Sequence, residues 1–316
     1  MFKVVSTSPT FGKYSQDPIT FLQSEGCEVV ILSSEISHNE VALGRALKDV
    51  DALIVGVEKI TSQVLEHVPK LKVIAKHGAG LDNIDLQAAK EKNIAITYAP
   101  GANRHAVADL VFGLMLSLAR EIPNSSAQVQ KGEWPRVIGV EMFGKTLGVI
   151  GTGKIGKEVI RRAQGFQMKI LAYDLYPDQE LSKSGSVTYV PLDELIQQSD
   201  FITTHTDLNE NSKSMIGRPQ LEAMKTTAFL VNTARGGIID EEALYIALKK
   251  GEIAGAALDV FSVEPFIQSP LLELPNFICT PHMAGYTYEA LQEVGMITAR
   301  NVLNTLKGKQ PEFSYQ

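Results

Sequence analysis

The chain has two cysteines, no excess of positive charge and no long apolar run, and each scarcity excludes a class of protein. Cys27 and Cys279 support neither a disulfide framework nor a metal pair. Each lies in an apolar, strand-like segment, so two buried free thiols in a reducing cytoplasm are expected, with no metal site. A net charge of −6 argues against a nucleic-acid surface, which needs clustered cations. No apolar run approaches the roughly 20 residues of a membrane span. The opening Met-Phe-Lys-Val-Val-Ser reads as a short strand and not as a signal peptide. Repeats, linkers and low-complexity segments are absent.

What is present suits an ordinary globular protein: 316 residues, 44% hydrophobic and 21% charged, long enough for two domains. Short β-branched runs at Phe2–Ser6, Glu28–Leu32, Ala52–Val57, Lys72–Lys76 and Ile94–Thr97 alternate with helix-like stretches. That alternation predicts a doubly wound parallel sheet. The segment Asn103–Arg120 breaks the rhythm with a helix too apolar on every side for a lone surface element. A less regular stretch at 121–145 follows, for which contact with a second subunit is the natural use. A second strand-helix series starts at Lys145 and runs through Lys169–Tyr173, Asp200–Thr204, Ala228–Asn232, Gly255–Asp259 and Phe277–Thr280. The last helix, near Tyr288–Leu306, comes after all the strands. The expected fold class is α/β, with two doubly wound parallel-sheet domains. The expected division is 1–99 plus 288–316, and a Rossmann-type dinucleotide-binding domain over 100–287.

Between the strand Leu147–Ile150 and the helix Lys154–Gly165 stand Gly151, Gly153 and Gly156. The first permits a tight turn, the second lets backbone approach a pyrophosphate, and the third allows close helix-strand packing. Phosphate would then sit on the free N–H groups of the helix start. A bare G-x-G-x-x-G is weak evidence. Here a second strand ends in Asp174, near the offset at which an acid holds the ribose hydroxyls. A carboxylate there repels a 2′-phosphate, which predicts NAD over NADP.

Downstream come Arg235 in Val-Asn-Thr-Ala-Arg-Gly-Gly, Glu264 in Asp-Val-Phe-Ser-Val-Glu-Pro, and His282 in Thr-Pro-His-Met-Ala-Gly. A 2-hydroxy acid must be oriented by its carboxylate, lose an O–H proton and deliver a hydride. Arginine suits the first task through its planar fork, and histidine the second through its near-neutral pKa. A carboxylate against the other ring nitrogen fixes the tautomer.

These strings, with Lys76-His77-Gly78-Ala79-Gly80-Leu81-Asp82-Asn83-Ile84-Asp85, resemble the D-isomer-specific 2-hydroxyacid dehydrogenase family over nearly the whole chain. The resemblance implies a flavodoxin-like substrate domain, a cofactor domain, catalysis in the cleft between them, and a homodimer built on the cofactor domain. It makes Arg235 the ligand of the substrate carboxylate and carbonyl, His282 the acid/base and Glu264 its partner. Gly78, Ala79 and Gly80 would offer N–H groups to the substrate carboxylate, with Asn103 and Arg104 nearby. Lys154, Ile155, Asp174, His205, Thr206, Thr233, Ala234 and Asp259 match positions around the dinucleotide, Asp259 approaching the nicotinamide carboxamide. Two positions depart from the family: Asp207 where proline is frequent, and Asp109 where glutamate is common.

By the same resemblance Lys13, Lys76, His77, Arg104 and His105 border the cleft. As a set they suit a second anionic group, which points to 3-phosphoglycerate and 3-phosphohydroxypyruvate. The alternative is a reductase of an unphosphorylated 2-keto acid: glyoxylate, hydroxypyruvate or a branched-chain acid. A more remote one is a nucleotide-sensing corepressor-like binding protein. The chain ends at Gln316, so serine feedback through a C-terminal regulatory domain is not expected.

Overall fold

The computed structural model describes residues 1–315. The chain divides into two compact units, Met1–Asn103 with the segment from Tyr286 onward, and Arg104–Gly285.

The first unit is built on β1 (Phe2–Ser6), β2 (Cys27–Ile31), β3 (Ala52–Val55), β4 (Val73–Lys76) and β5 (Ala95–Thr97). Their order is β5-β4-β3-β1-β2, all parallel, and a short C-terminal strand, Ser314–Tyr315, joins β5 antiparallel. Successive side chains of a strand point to opposite faces. Val5, Leu53, Ile74 and Ile96 therefore meet Leu43, Leu47 and Val64 on one side. Val4, Ile54, Val73 and Ala75 meet Leu22, Ala299, Val302 and Leu303 on the other. The last three belong to the C-terminal helix Tyr288–Leu306, whose apolar face completes this core. All four residues of β3 are buried, as expected of a parallel strand covered on both faces.

The second unit carries β6 (Thr146–Ile150), β7 (Lys169–Tyr173), β8 (Thr188–Tyr189), β9 (Phe201–Thr204), β10 (Phe229–Asn232), β11 (Gly255–Leu258) and β12 (Phe277–Cys279). They form one parallel sheet in the order β12-β11-β10-β9-β6-β7-β8. The chain winds outward from β6 in one direction, then returns to lay β9 on its other side. The crevice beyond the carboxyl ends of β6 and β9 is where such sheets bind ligands. The apolar helix Arg104–Ala119 buries nine of its side chains, packing on β10, β11 and the helix Lys154–Gly165.

Three local expectations change. Within 121–145 a helix, Ile122–Gln130, opens with Pro123 in its first turn, where proline is tolerated. None of its residues is buried, so no apolar stripe announced it. Cys279 is exposed, although free like the buried Cys27, because β12 is an edge strand. The strands Thr188–Tyr189 and Ser314–Tyr315 are too short to carry a period-2 pattern. Among the described residues no helix is long and apolar enough to cross a membrane.

Candidate active site

The turn after β6 is shaped by its glycines. Gly151 has φ +93°, and a Cβ there would lie 2.5 Å from the His205 carbonyl oxygen. A Cβ on Gly156 would lie 2.1 Å from the Gly151 carbonyl oxygen, so the helix rests directly on the turn. A Cβ on Gly153 would meet nothing within 4 Å. The backbone at Gly153, which caps the helix carrying Lys154 and Ile155, is thus open to a pyrophosphate.

Asp174 follows β7 and leans back onto this turn. Its Oδ2 accepts from Thr152 N at 2.6 Å and Thr152 Oγ1 at 2.9 Å, and its Oδ1 from Tyr176 N at 2.9 Å. Beyond β9 and β10, three buried polar atoms have no protein partner: His205 Nδ1, Thr206 Oγ1 and Thr233 Oγ1. Buried polar groups are ordinarily bonded, so a cluster of orphans at the carboxyl ends of a parallel sheet fits a polar ligand. Burial pushes the His205 pKa down to about 3, so its ring is neutral, with Nε2 3.0 Å from Thr203 Oγ1. Open glycine backbone, a carboxylate after the second strand and unpartnered buried polar atoms together fit a dinucleotide.

Arg235, Glu264 and His282, the residues expected to carry the chemistry, lie in the same unit. Asn232 ends β10, and its side chain fixes the turn that presents Arg235. Its Oδ1 accepts from Thr204 Oγ1 at 2.8 Å and Ala234 N at 2.9 Å, while Nδ2 donates to the Arg235 carbonyl at 2.8 Å. A Cβ on Gly236 would lie 2.0 Å from the Phe261 carbonyl, so this turn is pressed against the chain leading to Glu264. Arg235 is half-buried, with Nη1 donating to the Ala234 carbonyl at 2.7 Å.

Glu264 accepts from Phe261 N through Oε1 at 3.0 Å and meets His282 Nδ1 through Oε2 at 2.8 Å. That contact assigns the Nδ1 proton to the Glu264 bond and leaves Nε2 as the ring nitrogen that can exchange a proton. His282 takes φ +50°, an uncommon conformation for a residue with a side chain. It is held by its own N–H, which donates to the Asp259 carbonyl at 2.9 Å.

Asp259 also braces the loop that follows β12. Its side chain is fully buried, and Oδ1 accepts from Thr280 Oγ1 at 2.5 Å and Met283 N at 2.9 Å. Oδ2 accepts from Ala284 N at 2.9 Å. The carboxylate is committed to the loop that carries His282. No local pattern could reveal this, since the partners lie more than twenty positions downstream.

In the first unit Gly78, Ala79 and Gly80 follow β4, with Gly78 at φ +154° and its carbonyl accepting from Ala99 N at 2.8 Å. Asn103 Oδ1 is buried without a partner. The basic residues grouped in the sequence are engaged separately. Lys76 Nζ donates to the Gly56 carbonyl at 2.5 Å and Asn83 Oδ1 at 2.6 Å. His77 stands edge-on to Phe11, and burial, with the Lys76 charge, pushes its pKa down to about 4, so it carries no charge at neutral pH. Arg104 and His105 belong to the second unit, where both approach the Glu158 carboxylate, at 3.9 Å and 3.2 Å, beside Arg161 and Arg162. Asp109 pairs with Arg162 at 2.7 Å. Lys13 lies 5.3 Å from the Tyr14 ring centroid.

Residues 112–284, which hold the glycine turn, Asp174 and the triplet, match the D-isomer specific 2-hydroxyacid dehydrogenase, NAD binding domain. The chain belongs to this family. Among its relatives, the D-3-phosphoglycerate dehydrogenase of Methanocaldococcus jannaschii is 44% identical over 316 residues. The match covers 99% of this chain but 59% of that relative, so the chain spans little more than half its length. The hydroxypyruvate reductase of Thermotoga maritima is 43% identical over 286 residues, covering 88% of this chain and 92% of the relative. The apo structure of D-lactate dehydrogenase from Escherichia coli superposes over the full length of both chains, with a TM-score of 0.88 at 31% identity. Family members with different substrates thus share this dehydrogenase fold, and NAD is the cofactor that the site fits.

Proposed function

We propose that the chain is an NAD-dependent oxidoreductase moving a hydride between nicotinamide and C2 of a D-2-hydroxy acid, with a small unphosphorylated 2-keto acid, glyoxylate or hydroxypyruvate, as its substrate. The reaction class rests on the 2.8 Å contact of His282 with Glu264 in the cofactor unit that also carries Arg235. The bound nicotinamide supplies or takes up the hydride at C4. In reduction, His282 gives its Nε2 proton to the carbonyl oxygen, while Glu264 holds the ring and balances its charge. Arg235 grips the substrate carboxylate and stabilises negative charge developing on that oxygen. In oxidation the same nitrogen removes the hydroxyl proton. Asp174 accepts from an adenosine-ribose hydroxyl, and its charge disfavours a 2′-phosphate.

The unphosphorylated substrate is favoured because Lys76, Arg104 and His105 each face a protein acceptor and His77 is uncharged. The reading as 3-phosphoglycerate dehydrogenase keeps one observation on its side, the 44% identity to a relative of that name. Initial rates with NADH on glyoxylate, hydroxypyruvate, branched-chain 2-keto acids and 3-phosphohydroxypyruvate separate the two. The proposal expects kcat/KM for hydroxypyruvate or glyoxylate to exceed that for the phosphorylated acid. The reverse order sinks it, and no turnover of any acid would favour a nucleotide-sensing binding protein.

A homodimer through the cofactor unit is part of the proposal. Trp134, Ile138 and Phe143 are exposed in a stretch that the helix Ile122–Gln130, without a buried residue, leads into. Large apolar side chains left exposed within ten residues of one another suit a partner surface. Sedimentation should give a dimer and Ile138→Asp a larger monomer fraction; a wild-type monomer at micromolar concentration refutes the interface. Two free thiols accord with a reducing cytoplasm.

A further inference from the structure

The acid that faces the ribose is not left to find its own orientation. Asp174 Oδ2 accepts from the Thr152 hydroxyl, and that hydroxyl oxygen stands 2.9 Å from Tyr189 Oη. The Tyr189 oxygen is in turn 3.2 Å from Asp178 N. Proton placement along this chain has one solution. An ionised carboxylate only accepts, so Thr152 commits its single proton to Asp174. Tyr189 must then donate to Thr152, which leaves the Tyr189 oxygen to accept from the Asp178 N–H. Asp178 is anchored as well: its carboxylate caps the helix Gln179–Lys183 and pairs with Lys157, on the helix that starts at the glycine turn.

We propose that Thr152 and Tyr189 are positioning residues that hold the Asp174 carboxylate for a single adenosine-ribose hydroxyl and so set the preference for NAD over NADP. The inference rests on the reading of Asp174 as the ribose acceptor given above. A carboxylate offers about four acceptor sites. Three are taken, by Thr152 N, Thr152 Oγ1 and Tyr176 N, and the remaining one lies on Oδ1. Asp174 therefore offers one directed site and a fixed negative charge, in place of a freely rotating carboxylate. Tyr189 comes from the two-residue edge strand β8, thirty-seven positions beyond Thr152.

The test is steady-state kinetics with NAD and NADP on the full-length protein, together with thermal unfolding. Removing one neutral hydrogen bond is worth about two- to tenfold in affinity. Tyr189→Phe should raise KM for NAD by about that factor, move kcat little, and lower the NAD-to-NADP ratio of kcat/KM. Thr152→Val should do the same more strongly, whereas Thr152→Ser, which keeps the hydroxyl, should restore wild-type behaviour. A Tyr189→Phe variant with a lower Tm but unchanged KM and cofactor ratio overturns the proposal, because Tyr189 would then serve packing alone. If that variant does not fold, the contrast between Thr152→Val and Thr152→Ser decides in the same way. Asp174→Ser separates the two readings: an unchanged cofactor ratio there refutes the ribose reading itself. A changed ratio in Asp174→Ser with none in the Tyr189 and Thr152 variants refutes only the relay.

Discussion

Asp259→Ala tests whether a buried carboxylate builds the loop that carries His282. The substitution removes the acceptors of Ala284 N, Met283 N and Thr280 Oγ1 at once. Ala284 is buried, so its N–H loses any partner, at a cost of about 1–3 kcal/mol. Met283 is exposed and its N–H can recover part of its loss in water, and the Thr280 hydroxyl can rotate. A total of about 3 kcal/mol in unfolding free energy is therefore expected. Asp259→Asn should cost about 1 kcal/mol. Its amide oxygen can keep Ala284 N, and Thr280 can turn to accept from the new NH2 group, leaving only Met283 N opposed by a donor. The same loss releases His282, which is next to Met283 and donates its N–H to the Asp259 carbonyl. A catalytic group displaced by about 1 Å forfeits roughly a hundredfold in rate. Urea unfolding gives the stability change, and kcat and KM for NADH at a temperature where both variants stay folded give the rest. The expected pattern is a large fall in kcat with a smaller change in KM. A variant with wild-type stability, wild-type kcat and a raised KM for NADH would make Asp259 a cofactor contact that does not brace the loop, and refute the reasoning.

Acid should destabilise both units. His77 and His205 have folded-state pKa values of about 4 and about 3, below the ordinary 6.5, so the unfolded chain binds more protons between those values and 6.5. Stability is then complete above about pH 6.5 and falls as pH drops toward 4. Each histidine contributes a loss of about 2 kcal/mol between pH 7 and pH 5. His77→Phe should flatten the first unit's share of that slope in urea titrations, and an unaltered slope would exclude His77 as a cause. Arg235→Ala should lower kcat/KM by a factor on the order of 10²–10³ or more. NADH affinity, followed by fluorescence, should change little; intact turnover would remove Arg235 from the mechanism. Arg235→Lys should recover only part of the loss, since an ammonium cannot make the two parallel bonds of a guanidinium.

The features legible in the sequence are those whose physics is local. Ala-Leu-Ile-Val at β3 announces a strand covered on both faces because burial acts on each residue in turn. The glycine turn is legible because Gly151, Gly153 and Gly156 meet their constraints within six residues, and Arg235, Glu264 and His282 because each sits in a distinctive string. What joins those strings was not legible. The commitment of Asp259 to Thr280, Met283 and Ala284 and the Tyr189–Thr152–Asp174 chain depend on pairings twenty to forty positions apart. So does the engagement of Lys76 by the Gly56 carbonyl, twenty positions upstream. The sequence by itself determined two parallel α/β units, the family and the candidate reacting groups, because backbone periodicity and side-chain chemistry are carried by neighbours. Only the tertiary structure decided which charges are already answered and which polar atoms remain unpartnered. A hydrogen bond depends on position in space, and the chain order does not encode that directly.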